Sequence, residues 1–563
     1  MKVIIVGGVA GGATAAARIR RLDEHAEITV FERSGYISYA NCGLPYYIGD
    51  VITDPEELTL QTPESFFKRF RINMKIHHEV ISIHPERKTV SVKNLENDEI
   101  FEENYDKLIL SPGAKPTQPR LSGVGIDKLF TLRTVEDTFR IKEYINKNHP
   151  KSAVLAGGGF IGLELAENLR ELGMDVTIVQ RPKQLMNPFD PDMASMIHNE
   201  MRKHGIKLVL GYTVEGFKEK DNGVEVLLKD NPSLQADMVV LAIGVTPDTV
   251  LAKEAGLELG IKESIVVNDR METSVPDIYA AGDAVQVKHY VTGNEALISL
   301  AGPANKQGRI IADNICGGDS RYLGSQGSSV IKVFDMTAAT TGINETNAKK
   351  SGLEVDTVIL SPMSHAGYYP GGKVMTMKVI FEKESYRLLG AQIIGYEGVD
   401  KRIDVLATAI HAGLNATQLK DLDLAYAPPY SSAKDPVNMA GFMIDNIAKG
   451  TLKQWHLEDM DKISKDKDVV LLDVRTVGEF SRGHIDGFKN IPVDELRERI
   501  SEIEKGKPVY LICQSGLRSY IASRILEGNG YETYNFSGGF RFYDAVVNDR
   551  ALIERAYACG MDY

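Results

Sequence analysis

Cysteine is scarce in this chain, which contains only Cys42, Cys316, Cys513 and Cys559 among its 563 residues. Four cysteines so far apart do not form a disulfide framework, and their spacing matches no close set of metal ligands. We therefore predict no metal site and a reducing, cytoplasmic location. Nearby sequence offers Cys42 no second cysteine, so a redox-active Cys42 would exchange with an external sulfur or oxygen.

Long apolar runs and an excess of positive charge are also lacking. No apolar run approaches the roughly 18 residues that a membrane span needs. The chain carries 65 Lys and Arg against 77 Asp and Glu, a net charge of −12, which argues against nucleic-acid and anionic-membrane partners. Its length predicts roughly three to five globular domains.

Two glycine-rich turns, residues 7–12 and residues 157–162, each follow a short apolar segment and precede a helical pattern. Glycines let backbone N–H groups approach a pyrophosphate at the helix N-terminus, as in dinucleotide-binding units. The second turn matches GxGxxG, whereas Val9 takes the middle glycine position of the first. Two such units indicate two dinucleotides, a flavin next to a nicotinamide.

The strand after each turn ends differently. Glu32 ends the first of these strands, about twenty residues past the turn, where an acid binds an adenosine ribose. Gln180 and Arg181 end the second, where a cation is suited to the 2′-phosphate of NADPH. The sequence therefore favours NADPH over NADH, and an exposed basic loop is the alternative interpretation of Arg181.

These turns, Glu32, residues 41–45 (NCGLP) and residues 273–283 resemble the flavin-dependent pyridine nucleotide–disulfide oxidoreductases. The resemblance covers residues 1 to about 447 and is closest to the single-cysteine coenzyme A–disulfide reductases. It implies an α/β fold with two Rossmann-like dinucleotide-binding domains and an α+β dimerisation domain. It also implies binding of FAD by Gly7, Gly8, Ala10, Gly11, Gly12, Glu32, Arg33, Asn41, Gly282, Asp283 and Ala301, and of NAD(P)H by Gly157, Gly159, Gly162 and Arg181.

The same resemblance implies that Cys42 lies against the flavin and forms a mixed disulfide with coenzyme A. Two-cysteine members of the family carry CxxxxC and a C-terminal His-Pro pair, and both are absent here. Single-cysteine oxidases and peroxidases carry a histidine in the first turn, where this chain has Val9 and Ala10. The alternatives left open are an NAD(P)H oxidase or peroxidase that cycles Cys42 through a sulfenic acid, a non-catalytic redox sensor or sulfur-carrier scaffold, and a buried structural thiol.

Two segments, residues 365–371 and residues 425–431, also match the coenzyme A–disulfide reductases. In that family a tyrosine of each, here Tyr368 and Tyr426, reaches the active site of the other subunit, where a phenol can protonate a leaving thiolate. Aromatic packing in a dimer interface is the alternative. The implied coenzyme A ligands are Arg18, Arg21, Ser38, Gln61, Asn305 and Arg309, and the two first-named arginines also suit a solvated helix face.

A second sulfur centre is indicated by Cys513, which follows an apolar strand and is separated from Arg518 by four residues. With residues 472–475, residues 483–485 and residues 537–540, this segment resembles a rhodanese domain. The six-residue loop from Cys513 to Arg518 is of a size that suits a sulfur atom. In the related phosphatases five residues separate the cysteine and the arginine, and that longer loop holds the larger phosphate. Loop N–H groups and the following helix favour an anionic sulfur on Cys513. An inactive rhodanese-like binding module is the alternative.

The predicted domains are FAD-binding (1–112 and 250–322), NAD(P)H-binding (113–249), dimerisation (323–447), linker (448–463) and α/β rhodanese (464–563). We predict a homodimeric FAD-dependent NAD(P)H reductase whose active site is shared across subunits. Its expected substrates are coenzyme A disulfide, coenzyme A persulfide and polysulfide, with Cys513 carrying sulfane sulfur. Cys316 and Cys559 have no motif around them and are expected to be incidental.

Overall fold

The computed structural model describes residues 1–59, 61–117, 121–220 and 223–558, so Cys559 lies outside the described residues. The chain forms two compact units, Met1–Pro182 with Ile206–Gly327 and Lys183–Gly205 with Ser328–Tyr563. Among the described residues, none of the helices has both the length and the apolar character required to cross a membrane.

Two parallel five-stranded sheets form the framework of the first unit. In spatial order the strands of one are Ile278–Ala280, Lys107–Leu110, Lys2–Val6, Glu27–Phe31 and Asn73–Lys75. Those of the other are Lys207–Leu210, Asp175–Gln180, Ser152–Ala156, Met238–Leu241 and Leu129–Thr131. Both central strands are almost wholly buried and apolar, as expected of parallel strands covered on both faces. Each glycine turn therefore lies at the carboxyl end of a central strand, where open α/β sheets bind ligands.

Helices and antiparallel strands complete this unit. Its α-helices are Ala10–Leu22, Leu44–Ile48, Pro63–Phe70, Val135–Asn148, Phe160–Glu171, Val250–Glu254 and Ala301–Ile315. One three-stranded antiparallel sheet consists of His78–His84, Thr89–Asn94 and Ile100–Asn104. A second consists of Val214–Lys220, Gly223–Leu228 and Asn231–Ala236. Two-stranded pairs are Ala114–Pro116 with Val245–Pro247 and Val287–Lys288 with Glu295–Ala296.

The second unit contains one antiparallel and one parallel sheet. The antiparallel order is Ser329–Val333, Met336–Gly342, Leu388–Gly395, Thr376–Glu382 and Val355–Leu360. The parallel order is Gln454–Trp455, Thr533–Phe536, Val509–Ile512, Val470–Asp473 and Lys489–Asn490. The α-helices are Pro191–Lys203, Glu345–Lys350, Val399–His411, Pro436–Ala448, Met460–Ile463, Val477–Ser481, Leu517–Glu527 and Gly539–Ala558.

A buried lysine joins the inserted helix Pro191–Lys203 to the antiparallel sheet. Lys378, whose side chain is 1% exposed, lies 2.8 Å from Asp192, 2.7 Å from Glu345 and 3.3 Å from Asp190. Because a buried ammonium is costly unless it is paired, these carboxylates fix the helix on the sheet. The inserted helix thus belongs to the second unit, although it lies in sequence inside the predicted NAD(P)H-binding segment.

The predicted fold class is confirmed: parallel sheets follow both glycine turns, an α+β domain follows them, and an α/β domain ends the described chain. The predicted linker, residues 448–463, contains the strand Gln454–Trp455, which pairs with Thr533–Phe536. The domain boundaries remain a prediction.

Candidate active sites

Cys42 lies in the short turn Asn41–Gly43, directly before the helix Leu44–Ile48. It is a free and exposed cysteine. Protein packed around its thiol raises the pKa of Cys42 by partial burial, and the charges of Glu164 and Asp283 raise it further, while Arg133 lowers it. The chain's own groups around Cys42 therefore favour the neutral thiol over the thiolate.

Glu164 connects Cys42 to the second glycine turn. It lies on the helix Phe160–Glu171, two residues past Gly162, and its Oε1 accepts a hydrogen bond from the Tyr46 hydroxyl at 3.5 Å. Burial, together with the charge of Glu167, raises the pKa of Glu164 to about 7, against a smaller lowering by the Tyr46 hydrogen bond. Burial and the charge of Glu164 raise the pKa of Tyr46 to about 12. Neither residue of this pair was predicted, because its only signal in the sequence was proximity to the two motifs.

The first glycine turn is built for close backbone approach. A Cβ on Gly7, whose φ is +96°, would lie 2.1 Å from the carbonyl oxygen of Ser111. A Cβ on Gly12 would lie 1.9 Å from the carbonyl oxygen of Gly7. The helix Ala10–Leu22, which contains the predicted residues Ala10 and Gly11, follows at once. No side chain therefore fits at Gly7 or Gly12, as the close strand–turn–helix packing of a pyrophosphate-binding turn requires.

Glu32 faces this turn. Its Oε2 accepts the Gly8 N–H at 2.8 Å, and its Oε1 accepts the Ser34 N–H at 2.9 Å. An ionised carboxylate has about four acceptor positions, so two remain for ribose hydroxyls. Arg33, next in sequence, is exposed and pairs with Asp248 at 2.9 Å.

Asp283 is fixed by an arginine that sequence reasoning missed. Arg133 Nη2 donates to Asp283 Oδ2 at 2.8 Å, and the Gly282 N–H donates to Gln307 at 2.8 Å. The Asp283 side chain is still 17% exposed, which leaves an acceptor available to a polyol such as a ribityl chain. Ala301 begins the helix Ala301–Ile315, which also contains Gln307.

The second glycine turn repeats the first with a neutral partner. Gln180 Oε1 accepts the Gly158 N–H at 3.0 Å, as Glu32 accepts that of Gly8. A Cβ on Gly162 would lie 2.2 Å from the carbonyl oxygen of Gly157, whereas a Cβ on Gly159 would meet no atom within 4 Å. The open space at Gly159 suits a bound phosphate, and Arg181 next to Gln180 is exposed.

Three of the predicted coenzyme A ligands meet along the contact between Ala10–Leu22 and Ala301–Ile315. The helices touch at Gly308, where a Cβ would lie 2.4 Å from the carbonyl oxygen of Gly11. Thr14 donates to Asn305 at 2.5 Å, Arg18 pairs with Asp313 at 2.7 Å, and Arg309 lies 3.9 Å from the same carboxylate. We name these residues the arginine seam; Thr14 and Asp313 were not predicted.

The other predicted ligands occupy nearby loops or surface. Ser38, with a φ of 45°, donates its N–H to the Gly8 carbonyl at 2.9 Å. Gln61 forms a bridge with Ile37, the residue before Ser38, so the structure brings these two predictions together. Arg21 is exposed in the last turn of its helix.

Tyr368 and Tyr426 come together in the second unit. Their hydroxyl oxygens lie 2.6 Å apart, and the residues are 75% and 46% exposed. The hydrogen bond from Tyr368 raises the pKa of Tyr426. Two tyrosines predicted from separate segments therefore form one exposed pair.

A buried arginine, also missed in the sequence, positions both tyrosine segments. Arg402 is 1% exposed, and its Nη2 donates to the carbonyl oxygens of Ser364 and Tyr430 at 3.0 and 3.2 Å. The same group donates to Asp435 at 3.1 Å. One guanidinium thus connects the segments that carry Tyr368 and Tyr426.

Cys513 lies at the base of the predicted loop, between the strand Val509–Ile512 and the helix Leu517–Glu527, and is fully buried. Its Sγ accepts hydrogen bonds from the Gly516 N–H at 3.1 Å and the Ser519 hydroxyl at 3.2 Å. Gly516 has a φ of 98°, a left-handed conformation that turns its N–H inward. These donors suit an anionic sulfur.

Arg518 and His484, the other residues singled out near this loop, contact neighbouring side chains of the protein. Arg518 pairs with Glu479, and the ring of His484 stacks on Phe480 with centroids 4.0 Å apart. Cys316 is free and partly buried. Within the described ranges, no group of three or more His, Cys, Asp or Glu residues is placed to bind a metal ion.

Comparison with known proteins agrees with this geometry. Residues 1–308 match the pyridine nucleotide-disulphide oxidoreductase family, residues 328–436 its dimerisation domain and residues 456–545 the rhodanese-like domain. A coenzyme A disulfide reductase of Staphylococcus aureus is 38% identical over 442 residues, 78% of this chain and 99% of that protein.

Two solved structures are similar over nearly the full length. Reduced CoADR-RHD of Bacillus anthracis is 49% identical with a TM-score of 0.95, and 98% of each chain is covered. An NAD-dependent persulfide reductase from A. fulgidus is 39% identical with a TM-score of 0.90, over 96% of this chain and 100% of that one. The resemblance predicted from the sequence is confirmed: this chain belongs to the pyridine nucleotide–disulphide oxidoreductase family and carries a rhodanese-like domain at its C-terminal end.

Proposed function

We propose that this chain is an FAD-dependent NAD(P)H reductase of coenzyme A disulfide and coenzyme A persulfide, with polysulfide as a further substrate. The observation that carries the proposal is Cys42, a free, exposed thiol in the turn directly before the helix that carries Tyr46. The Tyr46 hydroxyl donates to Glu164, two residues past the second glycine turn. The names of the similar proteins, a coenzyme A disulfide reductase and a persulfide reductase, support the same substrates.

The residues present fit the two dinucleotides. Gly7, Gly12, Glu32 and Asp283 would bind FAD, through an open turn and carboxylates with acceptor positions to spare. FAD supplies the passage of two electrons from NAD(P)H to sulfur. Gly157, Gly159 and Gly162 would bind the nicotinamide dinucleotide, and the neutral Gln180 beside Arg181 favours NADPH.

Cys42 would act as the exchanging thiol. Its thiolate attacks one sulfur of coenzyme A disulfide, forms a mixed disulfide and releases one coenzyme A thiolate. Two electrons and a proton then release the second coenzyme A thiol and restore Cys42. Per turnover, one disulfide, one NAD(P)H and one proton give two thiols and NAD(P)+; a persulfide gives one thiol and hydrogen sulfide.

The arginine seam and the tyrosine pair would complete the site. Arg18, Arg309 and Asn305 offer donors for coenzyme A phosphates, and Ser38 and Gln61 lie by the first turn. Tyr368 and Tyr426 would protonate the leaving thiolate at Cys42 of a second copy, since both are exposed. The active form is then a homodimer.

Cys513 would take a sulfane sulfur into its loop and hand it to coenzyme A. The persulfide so formed is a substrate for Cys42. The Gly516 and Ser519 donors stabilise the persulfide anion that Cys513 carries between these steps.

The test is NADPH oxidation with coenzyme A disulfide and sulfide release from coenzyme A persulfide. Cys42→Ser should abolish both, Cys513→Ser should abolish only sulfur transfer, and Cys316→Ser should change neither. Full turnover by Cys42→Ser would refute the proposal. Oxygen or peroxide consumption without added thiol, at the same rate as disulfide reduction, would favour an oxidase or peroxidase instead. A coenzyme A adduct on Cys42 by mass spectrometry would identify the small thiol.

A further inference from the structure

The only guanidinium in the Cys513 loop is already occupied by a carboxylate. Arg518 Nη1 and Nη2 donate to Glu479 Oε2 and Oε1, each at 2.7 Å. The two side chains are 31% and 22% exposed, so the pair lies at the protein surface. Arg518 precedes Ser519, whose hydroxyl donates to Cys513 Sγ at 3.2 Å, so the pair extends from the loop that holds the sulfur.

Glu479 is fixed independently of Arg518. It lies on the helix Val477–Ser481, and its Oε2 accepts the Thr476 N–H at 3.0 Å and the Thr476 hydroxyl at 2.9 Å. The Thr476 hydroxyl in turn accepts the Glu479 N–H at 3.3 Å, which completes a capping box. The Arg518 hydrogen bonds lower the pKa of Glu479 to about 2, so the carboxylate stays ionised at neutral pH.

A second arginine of the domain is also occupied. Arg475 is 1% exposed, and its Nε and Nη2 donate to Asp473 at 2.9 and 2.6 Å. Its guanidinium lies 3.8 Å from the centre of the Phe540 ring. Arg475 therefore forms a structural ion pair, and its guanidinium is not available to an anion at the loop.

Two of the exposed residues close to this pair in sequence are apolar. Val477, two residues before Glu479, is 63% exposed, and Leu517, just before Arg518, is 66% exposed. A small dianion gains nothing from a neutralised guanidinium and is repelled by the carboxylate. An alkyl persulfide carries at most one negative charge at its sulfur, and none in its protonated form RS–SH, so the carboxylate repels it less than a dianion. Its alkyl group can contact apolar side chains.

We propose that Glu479 determines the sulfur donor of Cys513: its pairing with Arg518 excludes thiosulfate-like dianions and selects persulfides of organic thiols. The inference rests on the proposed role of Cys513 as a sulfur carrier and specifies its donor. The Cys513 thiolate attacks the outer sulfur of the persulfide RS–SH. The bond between the two donor sulfurs breaks, its electron pair leaves on the inner sulfur, and the outer proton moves to that thiolate, giving RSH and the Cys513 persulfide anion.

The test uses the full chain and compares thiosulfate with glutathione persulfide as donors and cyanide as acceptor. Glu479→Gln keeps an oxygen for the Thr476 N–H but removes the charge. We expect kcat/KM for thiosulfate to rise about tenfold, while that for the persulfide stays within twofold. Glu495→Gln, which breaks a different arginine pair at 2.8 Å in the same domain, should leave both unchanged. If the ratio of kcat/KM for thiosulfate to kcat/KM for glutathione persulfide is the same in Glu479→Gln as in the parent, the inference is overturned.

If kcat/KM for thiosulfate rises in Glu479→Gln, a second variant must show that the anion binds Arg518 and not a neighbouring arginine. Arg541 is exposed, and its N–H donates to the Gln514 carbonyl at 3.2 Å. The Glu479→Gln gain should therefore persist when Arg541→Gln is added. Loss of the gain in this double variant would assign the anion site to Arg541 and contradict the role of the pair.

The wild-type protein gives a second test that does not depend on a variant folding. Cys513 alkylation, followed by peptide mass spectrometry, is compared for anionic iodoacetate and neutral iodoacetamide. The ratio of the iodoacetate rate to the iodoacetamide rate at Cys513 should not exceed the same ratio for free glutathione. A clear preference for iodoacetate would show an available guanidinium and overturn the inference. If Cys513 accepts sulfur from neither donor, the carrier role fails instead, which separates the two outcomes.

Discussion

The hydroxyl oxygens of Tyr368 and Tyr426 lie 2.6 Å apart although the residues come from segments 58 positions apart in the chain. One phenol can therefore donate to the other while the other donates to a substrate. A pair of this kind transfers a proton as a unit, so loss of either hydroxyl interrupts the same path.

This relationship predicts a non-additive pair of substitutions. Tyr368→Phe and Tyr426→Phe should each lower kcat for coenzyme A disulfide by about a hundredfold, the range of general acid catalysis. The double variant should lose little more than either single one. Tyr430→Phe, which alters another exposed tyrosine, is the control. Losses that multiply in the double variant would show that the two hydroxyls act separately.

Arg402 predicts a defect confined to the reductase reaction. Arg402→Lys cannot reproduce the planar set of donors that joins the two tyrosine segments. We expect kcat for coenzyme A disulfide to fall at least tenfold, with sulfur transfer by Cys513 unchanged in the same sample. Equal losses in both reactions would indicate general unfolding.

Glu164 predicts a pH effect on Cys42. With a pKa of about 7, Glu164 gains its negative charge between roughly pH 6 and 8, and this charge raises the pKa of Cys42. Glu164→Gln should therefore speed iodoacetamide alkylation of Cys42 at pH 8 about threefold and leave it nearly unchanged at pH 5.5. Glu171→Gln, exposed on the same helix, is the control. An equal rate at pH 8 in Glu164→Gln and the parent would contradict the coupling.

Gln180 predicts a change of coenzyme preference. Gln180→Glu keeps the acceptor for the Gly158 N–H but adds the charge that Glu32 carries in the first unit. Such an acid binds a ribose hydroxyl and repels a 2′-phosphate, so the NADPH to NADH ratio of kcat/KM should fall at least tenfold. Gln235→Glu makes the same charge change at an exposed strand position. If the NADPH to NADH ratio of kcat/KM is unchanged, residue 180 does not lie beside the ribose 2′-position of the bound dinucleotide.

Asp549 predicts a loss of stability. It is buried on the last helix; its Oδ2 lies 2.8 Å from His198 Nδ1, while His198 Nε2 accepts the Leu185 N–H at 3.0 Å, so His198 donates through Nδ1. Burial raises the pKa of Asp549, but the His198 hydrogen bond and Arg202 leave it below its ordinary value. The contribution of ionised Asp549 to the free energy of unfolding is therefore fully present above about pH 4. It is lost as the pH falls through the lowered pKa of Asp549.

Asp549→Asn should destabilise the protein at pH 7 by about 3 kcal/mol, as expected when one partner of a buried pair is removed. The thermal unfolding midpoint measures this, and the difference from the parent should shrink in acid. Asp544→Asn, exposed on the same helix, should leave the midpoint unchanged. A constant difference from pH 7 to pH 3 would show that the charge is not the cause.

The sequence predicted those parts of the site whose chemistry is local. The glycine turns, Glu32, and the loop from Cys513 to Arg518 are short motifs in which neighbours along the chain create the geometry. Glu164 was missed because its partner Tyr46 lies 118 residues away, and Asp313 because Arg18 lies 295 residues away. Contacts at such separations depend on how strands and helices stack, which one chain's pattern does not encode.

The placement of residues 183–205 in the second unit limits how this protein can be divided. The chain passes from one unit to the other after residues 182, 205 and 327. Met193, Ile197 and Met201 are fully buried, and a fragment ending at residue 327 would keep these side chains while losing the rest of the second unit. Truncation after residue 327 would therefore give an aggregation-prone protein rather than a minimal reductase.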